Sequence, residues 1–513
     1  MNKLLLFSLC CAMSYAAVSS VECSVVDFGA ASDTHRLSTK AFQNAIDSCY
    51  RSGGGVVTVP QGDFKIGTIV LKSNVTLSLA KGATLWASTN IQHYRLPLDG
   101  AIKPVLIYAN GAQRVAITGE GTIHGRARRV YKPLEEVDPY MADYTELARN
   151  SGVEMKRYYA RSPNISLVNF VNCRFIRIHR TSFIESSFWS IHLLDCNHVV
   201  IDSVHVFTSL ESGVNADGID INCSQNVRIT NSTVSTGDDA IVLKSWHPCE
   251  TKNVVVESCV VSSSSSALKL GTESNGTFRN IKFANCRVDD SNRGLSIMVH
   301  NSGSVDSVVF ENIRVSCVRR HFNWWGNGDP IFVEVKGKKE NIGGAVTNVW
   351  FRNITATGSG TSRLYAADPA ILRGVYFENV TLNLVAENRP DMRATWALEF
   401  ENANALLLKN LTINWAGTTR QQTWRGLLRM DHCHEVDGDG LRFDWSSSGA
   451  PHPVVHLNNC AEMKIQNIEA ARDGHAILLV TGDTTKSIAL QPALNFEVRT
   501  TPEVKPTELN VIQ

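Results

Sequence analysis

The chain has 513 residues, of which 43% are hydrophobic and 19% are charged, and its formal net charge is +1. This composition is typical of a globular protein with a sizeable core. Because the overall charge is close to zero, the composition does not indicate nucleic acid or an anionic membrane surface as a partner, and any attraction for an acidic substrate has to be local.

The first 20 residues have the pattern of a secretory signal peptide. Lys3 precedes an apolar run from Leu4 to Met13, and small residues follow at Ala16, Ala17, Ser19 and Ser20. The apolar run is too short to cross a bilayer, and no later stretch approaches the length of a transmembrane helix. We therefore expect that residues 1–20 are removed, that residues 21–513 are secreted to the extracellular space or the periplasm, and that the chain has no membrane span.

Patterns of secondary structure follow in chain order. Apolar residues at a helical spacing between Leu37 and Cys49 predict a short helix that caps the N-terminal end, and the glycines at 53–55 end it. From Val56 onward, short apolar runs separated by Gly-rich turns predict strands. Two stretches break this rhythm, so we expect inserted loops near 126–161 and 318–345 in a single domain that covers 21–513.

From Phe170 onward the sequence repeats itself. Equivalent aliphatic residues lie 28, 27, 27 and 27 positions apart, at Val199, Val227, Val254, Ile281 and Val308. Four positions after its aliphatic residue each unit has a small polar residue, namely Ser203, Asn231, Ser258, Asn285, Asn312, Asn353, Asn379 and Asn410. A strand-rich repeat of this length predicts an all-β fold, a single-stranded parallel β-helix in which Asn side chains of successive coils hydrogen-bond to one another.

The cysteines fit the same repeat. Thirteen cysteines are present, and their even scatter does not indicate the disulfide framework of a small domain. Cys223, Cys259 and Cys286 fall at or beside strand positions, so we interpret most of these cysteines as small core side chains rather than as disulfide partners.

Three aspartates, Asp217, Asp238 and Asp239, lie in Gly-flanked turns just before two of the strands. Aliphatic residues occupy the second and fourth positions of each strand, so the third position points outward. The outward positions are Trp189, Asp217, Asp239, Ser266 and Arg293 just before the strands, and His192, Asp220, Val242, Lys269 and Ser296 within them. Because neighbouring coils lie about 4.7–4.9 Å apart, we expect Asp217 and Asp239 to be neighbours, with Asp238 beside them on the turn.

A cluster of three carboxylates provides both an acid and a base. Mutual repulsion makes the most crowded carboxyl group keep its proton to a higher pH. Hydrolysis of a glycosidic bond with inversion uses an acid and a base roughly 6.5–9.5 Å apart, and a diagonal across two coils would supply that distance. The alternative, that these aspartates only cap tight turns, does not explain the adjacent pair Asp238 and Asp239.

With these motifs the sequence resembles glycoside hydrolase family 28, the polygalacturonases and their relatives. The family pattern is Asn-Thr-Asp, followed further along the chain by Gly/Gln-Asp-Asp. Here Asn215-Ala216-Asp217 and Gly237-Asp238-Asp239 match that pattern except at Ala216. The resemblance implies a right-handed parallel β-helix and an inverting mechanism, with Asp238 as the general acid and with Asp217 and Asp239 activating a water molecule.

Two motifs of the family are missing near this cluster. The histidine of the family's Gly-His-Gly falls at Ser266, and the two basic residues of its Arg-Ile-Lys fall at Ser296 and Met298. In the family these side chains hold the carboxylate of the substrate near the bond that is cut.

Three cations remain as candidates for substrate binding. Lys269 and Arg293 lie on outward positions of other coils and would restore positive charge to the same cleft, and Lys244 follows the acid pair. The alternative for Lys269 is a solvated ion pair with Glu273 or Asp220, which would contribute little.

Polar and aromatic side chains complete the expected binding site. His192 faces outward next to Asp220, so both are candidates to orient an acid or a sugar hydroxyl, although a lone histidine is as often structural. Trp324 and Trp325 lie in the stretch that breaks the repeat. They are candidates to stack on sugar rings, and the alternative is a hydrophobic contact with the flank of the solenoid.

Together these residues predict a secreted glycosidase that cleaves an acidic, pectic cell-wall polysaccharide or oligosaccharide by inverting hydrolysis. We expect no metal, no cofactor and no nucleic acid partner, and we expect a monomer. One alternative is a calcium-dependent polysaccharide lyase on the same fold, whose calcium would be bound by Asp217, Asp220, Asp238 and Asp239, with Arg293 taking a proton. The other alternative is a non-catalytic, carbohydrate-binding β-helix.

Overall fold

The structure is a computed structural model, and it describes residues 21–95, 97–133, 146, 148–153, 159–320, 325–336, 344–368, 371–387, 392–416, 423–445, 453–470, 476–492 and 496–511. The predicted signal peptide and Trp324 lie outside these residues.

Within the described ranges, 15 parallel strands stack into one sheet, here called sheet 1, in the order in which they follow one another along the chain. Each coil therefore adds one strand to sheet 1, directly beside the strand of the previous coil. The strands are Ile69–Val70, Val105–Asn110, Ser166–Val171, Ile191–Leu194, Ile219–Asn222, Ile241–Ser245, Ser266–Ser274, Arg293–Val299, Asp329–Val335, Ser362–Ala366, Trp396–Glu401, Gly426–Asp431, Val455–Asn458, Ala476–Thr481 and Phe496–Thr500.

A second sheet of 26 strands, here called sheet 2, forms the rest of the wall in the described part of the chain. In the earlier coils two short strands share its width, and from Ser304–Cys317 onward one long strand crosses it. The strands are Val21–Ser24, Asp33–Leu37, Gly55–Val59, Gly62–Ile66, Val75–Leu79, Ala83–Ala87, Gln113–Gly119, Thr122–His124, Arg174–His179, Ser182–Ile184, Asn197–Asp202, His205–Phe207, Gln225–Thr230, Thr233–Thr236, Glu250–Glu257, Val260–Ser263, Thr277–Ala284, Arg287–Ser291, Ser304–Cys317, Val346–Gly358, Leu372–Leu384, Asn404–Trp415, His434–Trp445, Ala461–Ala470, Lys486–Pro492 and Leu509–Val511. The predicted right-handed parallel β-helix is confirmed.

The core lies between the two sheets and follows the coil repeat. Phenylalanine rings of successive coils stack inside it, with centroids 4.9 Å apart for Phe283 and Phe310 and 5.2 Å apart for Phe310 and Phe351. These distances match the spacing between strands, about 4.7–4.9 Å, so the same side chain in the same position packs well in every coil.

The predicted asparagine ladder is confirmed on the outside of sheet 2. The Nδ2 atom of Asn312 donates to Oδ1 of Asn285 at 3.1 Å, and the same contact joins Asn353 to Asn312, Asn379 to Asn353 and Asn410 to Asn379. All five residues have a positive φ between 52° and 55°. Asparagine tolerates this left-handed conformation better than most residues, which explains its recurrence at the corner.

The described helices lie outside the two sheets. The helix Thr39–Arg51 buries Ala41, Phe42, Ala45, Ile46 and Cys49 and packs against the first strands, so the predicted N-terminal helix is present, while its capping role stays a prediction. The short helix Ala127–Val130 and the antiparallel pair Tyr131–Pro133 and Tyr159–Arg161 lie within the stretch predicted as a loop near 126–161, at its two ends, so the loop expectation is wrong for these residues. Within the described residues, 3-10 turns lie at Val25–Phe28, Ile91–His93 and Pro506–Glu508.

Most of the cysteines named above are free core side chains, as expected, whereas the loop predicted near 318–345 is partly wrong. Cys223 is buried but forms a disulfide with Cys249, because it follows the end of a strand and its positive φ of 50° turns the side chain towards the next coil. Cys259 and Cys286 are buried and free, as expected. The stretch predicted as a loop near 318–345 contains the strand Asp329–Val335 of sheet 1, which the longer step in the repeat concealed. That residues 21–513 form one domain stays a prediction.

Candidate active site

The two outward columns predicted from the repeat are present on sheet 1. Asp220 pairs in register with His192 on one side and with Val242 on the other, and Val242 pairs with Lys269. Just before the strands, the backbone N–H of Gly218 donates to the carbonyl oxygen of Asp239 at 2.9 Å, which places the turns that carry Asp217 and Asp239 side by side.

The three aspartates form one buried cluster. One carboxylate oxygen each of Asp217, Asp238 and Asp239 lies within 4.8 Å of the others, and the residues are 3%, 5% and 3% exposed. The turn before the acid pair requires glycine, because a Cβ at Gly237 would lie 2.2 Å from the carbonyl oxygen of Ser209. This close packing of turns brings the acids of two coils together.

The aspartates lie as close together as the sequence predicted. The nearest oxygens of the three carboxylates are within 4.8 Å of one another, because Asp217 and Asp239 precede directly adjacent strands, whose spacing is about 4.7–4.9 Å. An inverting acid and base are usually roughly 6.5–9.5 Å apart, measured between the carboxyl groups, and that a diagonal across two coils supplies this distance stays a prediction.

Lys244 lies among the acids. Its Nζ atom is 3.6 Å from Asp217 Oδ2, 3.7 Å from Asp220 Oδ1 and 3.2 Å from Glu273 Oε2, and it sits 4.6 Å from the ring centroid of Trp189. Burial favours the neutral amine, yet Glu273 and the aspartates raise the pKa of Lys244 well above its usual value. The ammonium group is therefore charged and neutralises part of the cluster.

Lys269 binds a different acid. Its Nζ atom is 2.7 Å from Asp239 Oδ2, while the hydroxyl of Ser265 and the backbone N–H of Ser266 donate to Asp239 Oδ1 at 2.8 and 3.3 Å. Both alternatives considered for Lys269, a solvated pair with Glu273 or with Asp220, are therefore wrong. Its ion pair is buried, with side-chain exposures of 7% and 4%.

These contacts separate the protonation states of the acids. Burial raises the pKa of Asp217 well above its usual range, and the Asp220 and Asp238 carboxyl groups add to that rise. Burial also raises the pKa of Asp220 well above its usual range, against the effect of Lys244. Burial alone would also raise the pKa of Asp239. The positive charges of Lys269 and then of Lys244 outweigh this effect, so the pKa of Asp239 is lowered. The carboxyl group of Asp217 therefore keeps its proton to a higher pH than that of Asp239.

His192 lies against the acids inside an aromatic cage. Its ring centroid is 4.9 Å from that of Trp189 and 5.1 Å from that of Trp246, and the residue is 1% exposed. Burial, helped by Lys244, lowers the pKa of His192 to about 3, so the imidazole is neutral near pH 7. Among the described residues the buried Nε2 atom has no hydrogen-bond partner.

Arg293 begins the strand Arg293–Val299, which lies two strands further along sheet 1 than the strand that follows Asp239. Its guanidinium is 3.7 Å from the ring centroid of Phe332, Nε is 3.3 Å from Asp329 Oδ2, and Nη1 lies 3.5 Å from the sulfur of Met298. The guanidinium therefore reaches the region where the family pattern has its basic pair.

Trp325 lies on the loop next to Arg293. Its side chain is 52% exposed, its carbonyl oxygen accepts a hydrogen bond from Asn292 Nδ2, and the following Gly326 packs against Arg293 Cγ. Trp324 lies outside the described residues.

Four residues of the site were not predicted as functional: Glu273, Ser265, Trp189 and Trp246. A signal was present for two of them. Trp189 stands in the outward column before the strands, and Glu273 lies an even number of positions after Lys269 on the same strand. Ser265 and Trp246 lie in turns, where the repeat gives no direction for the side chain.

Comparison with known proteins identifies relatives of this arrangement. A probable polygalacturonase of Vitis vinifera is 28% identical over 243 residues, which cover 46% of this chain and 47% of that protein. An exo-poly-alpha-D-galacturonosidase of Dickeya chrysanthemi is 28% identical over 251 residues, which cover 42% and 41%. The chain thus matches about half the length of these curated relatives, or less.

Solved structures share the fold. The family 28 exopolygalacturonase of Yersinia enterocolitica has a TM-score of 0.52 at 20% identity, over 87% of this chain and 78% of that one. A hyperthermoactive exopolygalacturonase from Thermotoga maritima has a TM-score of 0.50 at 23% identity, over 71% and 87%. The family model described as "Glycosyl hydrolases family 28" matches residues 49–387. The chain therefore belongs to glycosyl hydrolase family 28.

Proposed function

We propose that the protein is a glycosidase that hydrolyses an acidic, pectic polysaccharide or oligosaccharide. The observation that carries this proposal is the buried cluster of Asp217, Asp238 and Asp239, in which burial and neighbouring acids raise the pKa of Asp217 while Lys269 and Lys244 lower the pKa of Asp239. General acid and base catalysis needs a protonated and an ionised group side by side. Membership of family 28 and the polygalacturonase names of relatives support the substrate class.

We assign the roles of Asp217 and Asp239 from their contacts and that of Asp238 from the family resemblance. Asp239, ionised and held by three donors, takes a proton from the attacking water. Asp238 donates a proton to the oxygen of the leaving sugar, the role that the family resemblance implies. Asp217 carries a proton next to Asp239, so the two share one proton and one negative charge in the resting site and together hold the water. Direct attack by this water inverts the anomeric carbon.

Arg293 supports an acidic substrate. The family's two basic positions are Ser296 and Met298 here, and the guanidinium of Arg293 lies over this part of sheet 1 with its edge against Met298. A planar guanidinium binds carboxylates well. Arg293 is thus placed to bind a sugar carboxylate beside the acids, and His192 and Trp325 are placed to contact hydroxyl groups and a ring face.

The contacts favour hydrolysis over calcium-dependent lysis. Lys244 is within 3.7 Å of Asp217 and Asp220, and Lys269 is 2.7 Å from Asp239. A divalent cation bound by these carboxylates would lie next to two ammonium groups and be repelled by both. A binding module has no use for crowded acids, because burying like charges together destabilises the fold.

We also propose export of the mature chain and action as a monomer outside the cell. The disulfide between Cys223 and Cys249 supports an oxidising compartment. Among the helices that the structure describes, none has the length and apolar character needed to cross a bilayer.

The proposal is tested by incubating the purified protein with polygalacturonic acid, methyl-esterified pectin and a neutral xylan, with and without a calcium chelator. New reducing ends and the ultraviolet absorbance of unsaturated sugars are followed together, and Asp239→Asn serves as the inactive control. We expect reducing ends from an acidic substrate, without absorbance and without a need for calcium. Absorbance that requires calcium would establish the lyase instead, and binding without cleavage would establish the non-catalytic module.

A further inference from the structure

Lys269 was expected to bind substrate, but its ammonium group is already engaged. It lies 2.7 Å from Asp239 Oδ2, and the side chain is 7% exposed. If the ammonium turned towards a substrate carboxylate, Asp239 would be left as a buried and unpaired charge, which is strongly unfavourable. The position of Lys269 is therefore set by the enzyme and not by the ligand.

The other groups around Asp239 do not duplicate this contact. Asp238 lies on the same turn, Asp217 and Asp220 belong to the preceding coil, and all three are acids. Lys244, on the strand that follows Asp239, makes its closest contacts with Asp217, Asp220 and Glu273, the last of these from the next coil. Among the described residues Lys269 is the cation in direct contact with Asp239.

The two oxygens of Asp239 have separate partners. Ser265 and the backbone of Ser266, at the position of the family's histidine, donate to Oδ1, while Lys269 donates to Oδ2. Each carboxylate oxygen has two lone pairs, so Oδ2 retains one that can accept a proton from water. The three donors fix the plane of the carboxylate and the direction of this lone pair.

We propose that Lys269 is a positioning residue that acts through Asp239: its ammonium group keeps the carboxylate ionised and aims one oxygen at the attacking water. This inference rests on the proposed hydrolysis and replaces the expected role of Lys269 in binding substrate. It leaves Arg293 as the cation that contacts the substrate carboxylate.

Three variants separate the two roles. Lys269→Met keeps the length of the side chain and removes the charge, Lys269→Arg keeps the charge and changes the shape, and Arg293→Gln is the matched change at the proposed carboxylate contact. For each variant kcat and KM are measured on an acidic substrate across the pH range of activity. Positioning predicts that Lys269→Met lowers kcat by about 100-fold, leaves KM within about twofold, and moves the acid limb of the kcat/KM profile to higher pH.

The remaining variants complete the comparison. Lys269→Arg is expected to keep the acid limb of the wild type while losing part of kcat, because the charge remains and the geometry changes. Arg293→Gln is expected to raise KM by 10-fold or more, on the order of one lost charged contact, with the acid limb unmoved. A rise in KM with unchanged kcat and an unmoved acid limb in Lys269→Met would overturn the inference.

A measurement without turnover keeps the inference separate from the proposed function. Lys269 lowers the pKa of Asp239, so the stability that this pair contributes is present above the ordinary carboxylate pKa and is lost as the pH falls. The difference in Tm between the wild type and Lys269→Met should therefore shrink between pH 7 and pH 3. A constant difference would contradict the coupling of Lys269 to Asp239, whether or not the wild type hydrolyses any polysaccharide.

Discussion

Two parts of sheet 1 carry rows of charged side chains but differ in how the charges are arranged. In the coils around Asp217 and Asp239, acids of neighbouring coils crowd together and are at most 5% exposed. Further along the same sheet, Arg363, Glu399 and Arg429 follow one another in register, so that the sign alternates from coil to coil. Arg363 also bonds to Glu401 at 2.6 Å, with exposures of 38% and 33%.

The comparison shows that crowding, and not charge alone, distinguishes the active site. Alternating charges neutralise one another at the surface and need no further explanation. Like charges in a buried cluster destabilise the fold, so their presence indicates a chemical use. The family match ends at residue 387, before the coil of Glu399, and therefore includes the crowded coils and excludes most of the alternating row.

Removing one crowded acid should have the largest effect on activity. Asp238→Asn keeps the shape of the side chain and removes the proton that we assign to the leaving group, so kcat/KM should fall by about 10²–10⁴-fold. Both oxygens of Asp238 accept backbone hydrogen bonds, from Asn215 and Asp239, and an amide keeps only one acceptor oxygen, so Tm should fall slightly. Kinetics and thermal melting check both expectations, with Glu401→Gln in the alternating row as a control that retains full activity. An equal loss of activity in the control would remove the distinction between the two regions.

Removing the central cation of the crowded region should have the largest effect on stability. Lys244→Met leaves the buried Asp217 and Asp220 and the partly exposed Glu273 without their ammonium partner. Removing one partner of a buried ion pair costs about 3–5 kcal/mol, which is an upper bound here because solvent screens the Glu273 side chain, 43% exposed. Lys244 helps to hold the pKa of Glu273 below its usual value, so this contribution is present at neutral pH and is lost as the pH falls through the carboxylate range. Urea unfolding should show a large deficit at pH 7 and a smaller one at pH 3, and equal deficits would contradict this explanation.

The matched change in the alternating row should have little effect. Arg363→Met removes a partly exposed cation whose acid Glu399 also faces Arg429, so we expect a loss of about 1 kcal/mol or less. Activity should not change. A deficit in urea unfolding as large as that of Lys244→Met would show that the alternating row is as sensitive as the crowded cluster.

The smallest effect concerns His192, whose ring we expect not to titrate near neutral pH. Burial and Lys244 lower the pKa of His192 to about 3, so its ring stays neutral across the range in which ordinary histidines titrate. In ¹⁵N-histidine NMR, the signal that disappears in His192→Gln should not shift between pH 5 and pH 8. A titration within that range would mean that water or a counter-charge reaches the imidazole.

Much of the fold could be predicted from the sequence because each coil repeats the same pattern of buried and corner residues. The 27-residue step, the aliphatic pairs in each strand and the recurring asparagine determine the register, and the register alone places Asp217, Asp239 and Lys269 on one face. The strand Asp329–Val335 was not predicted, because its coil is longer than the others and the positions of the repeat are therefore displaced along the sequence.

The contacts within the site could not be predicted in the same way. The strand register gives the backbone position of each side chain. Lys269 and Arg293 are long enough to reach residues in neighbouring columns, so their partners depend on the space available to them. The disulfide of Cys223 depends on a turn conformation that the repeat does not encode. The cage around His192 comes from Trp189 and Trp246, which precede and follow different strands.

The central claim is that Asp217 and Asp239 direct a water molecule to the sugar in a single displacement. The most direct test follows the first product by ¹H NMR in the early minutes of hydrolysis of an acidic oligosaccharide, before the anomers equilibrate. We predict that the new reducing end first appears with the anomeric configuration opposite to that of the bond that was cut. A first product that retains the configuration would show that one carboxylate attacks the sugar directly and would contradict the account.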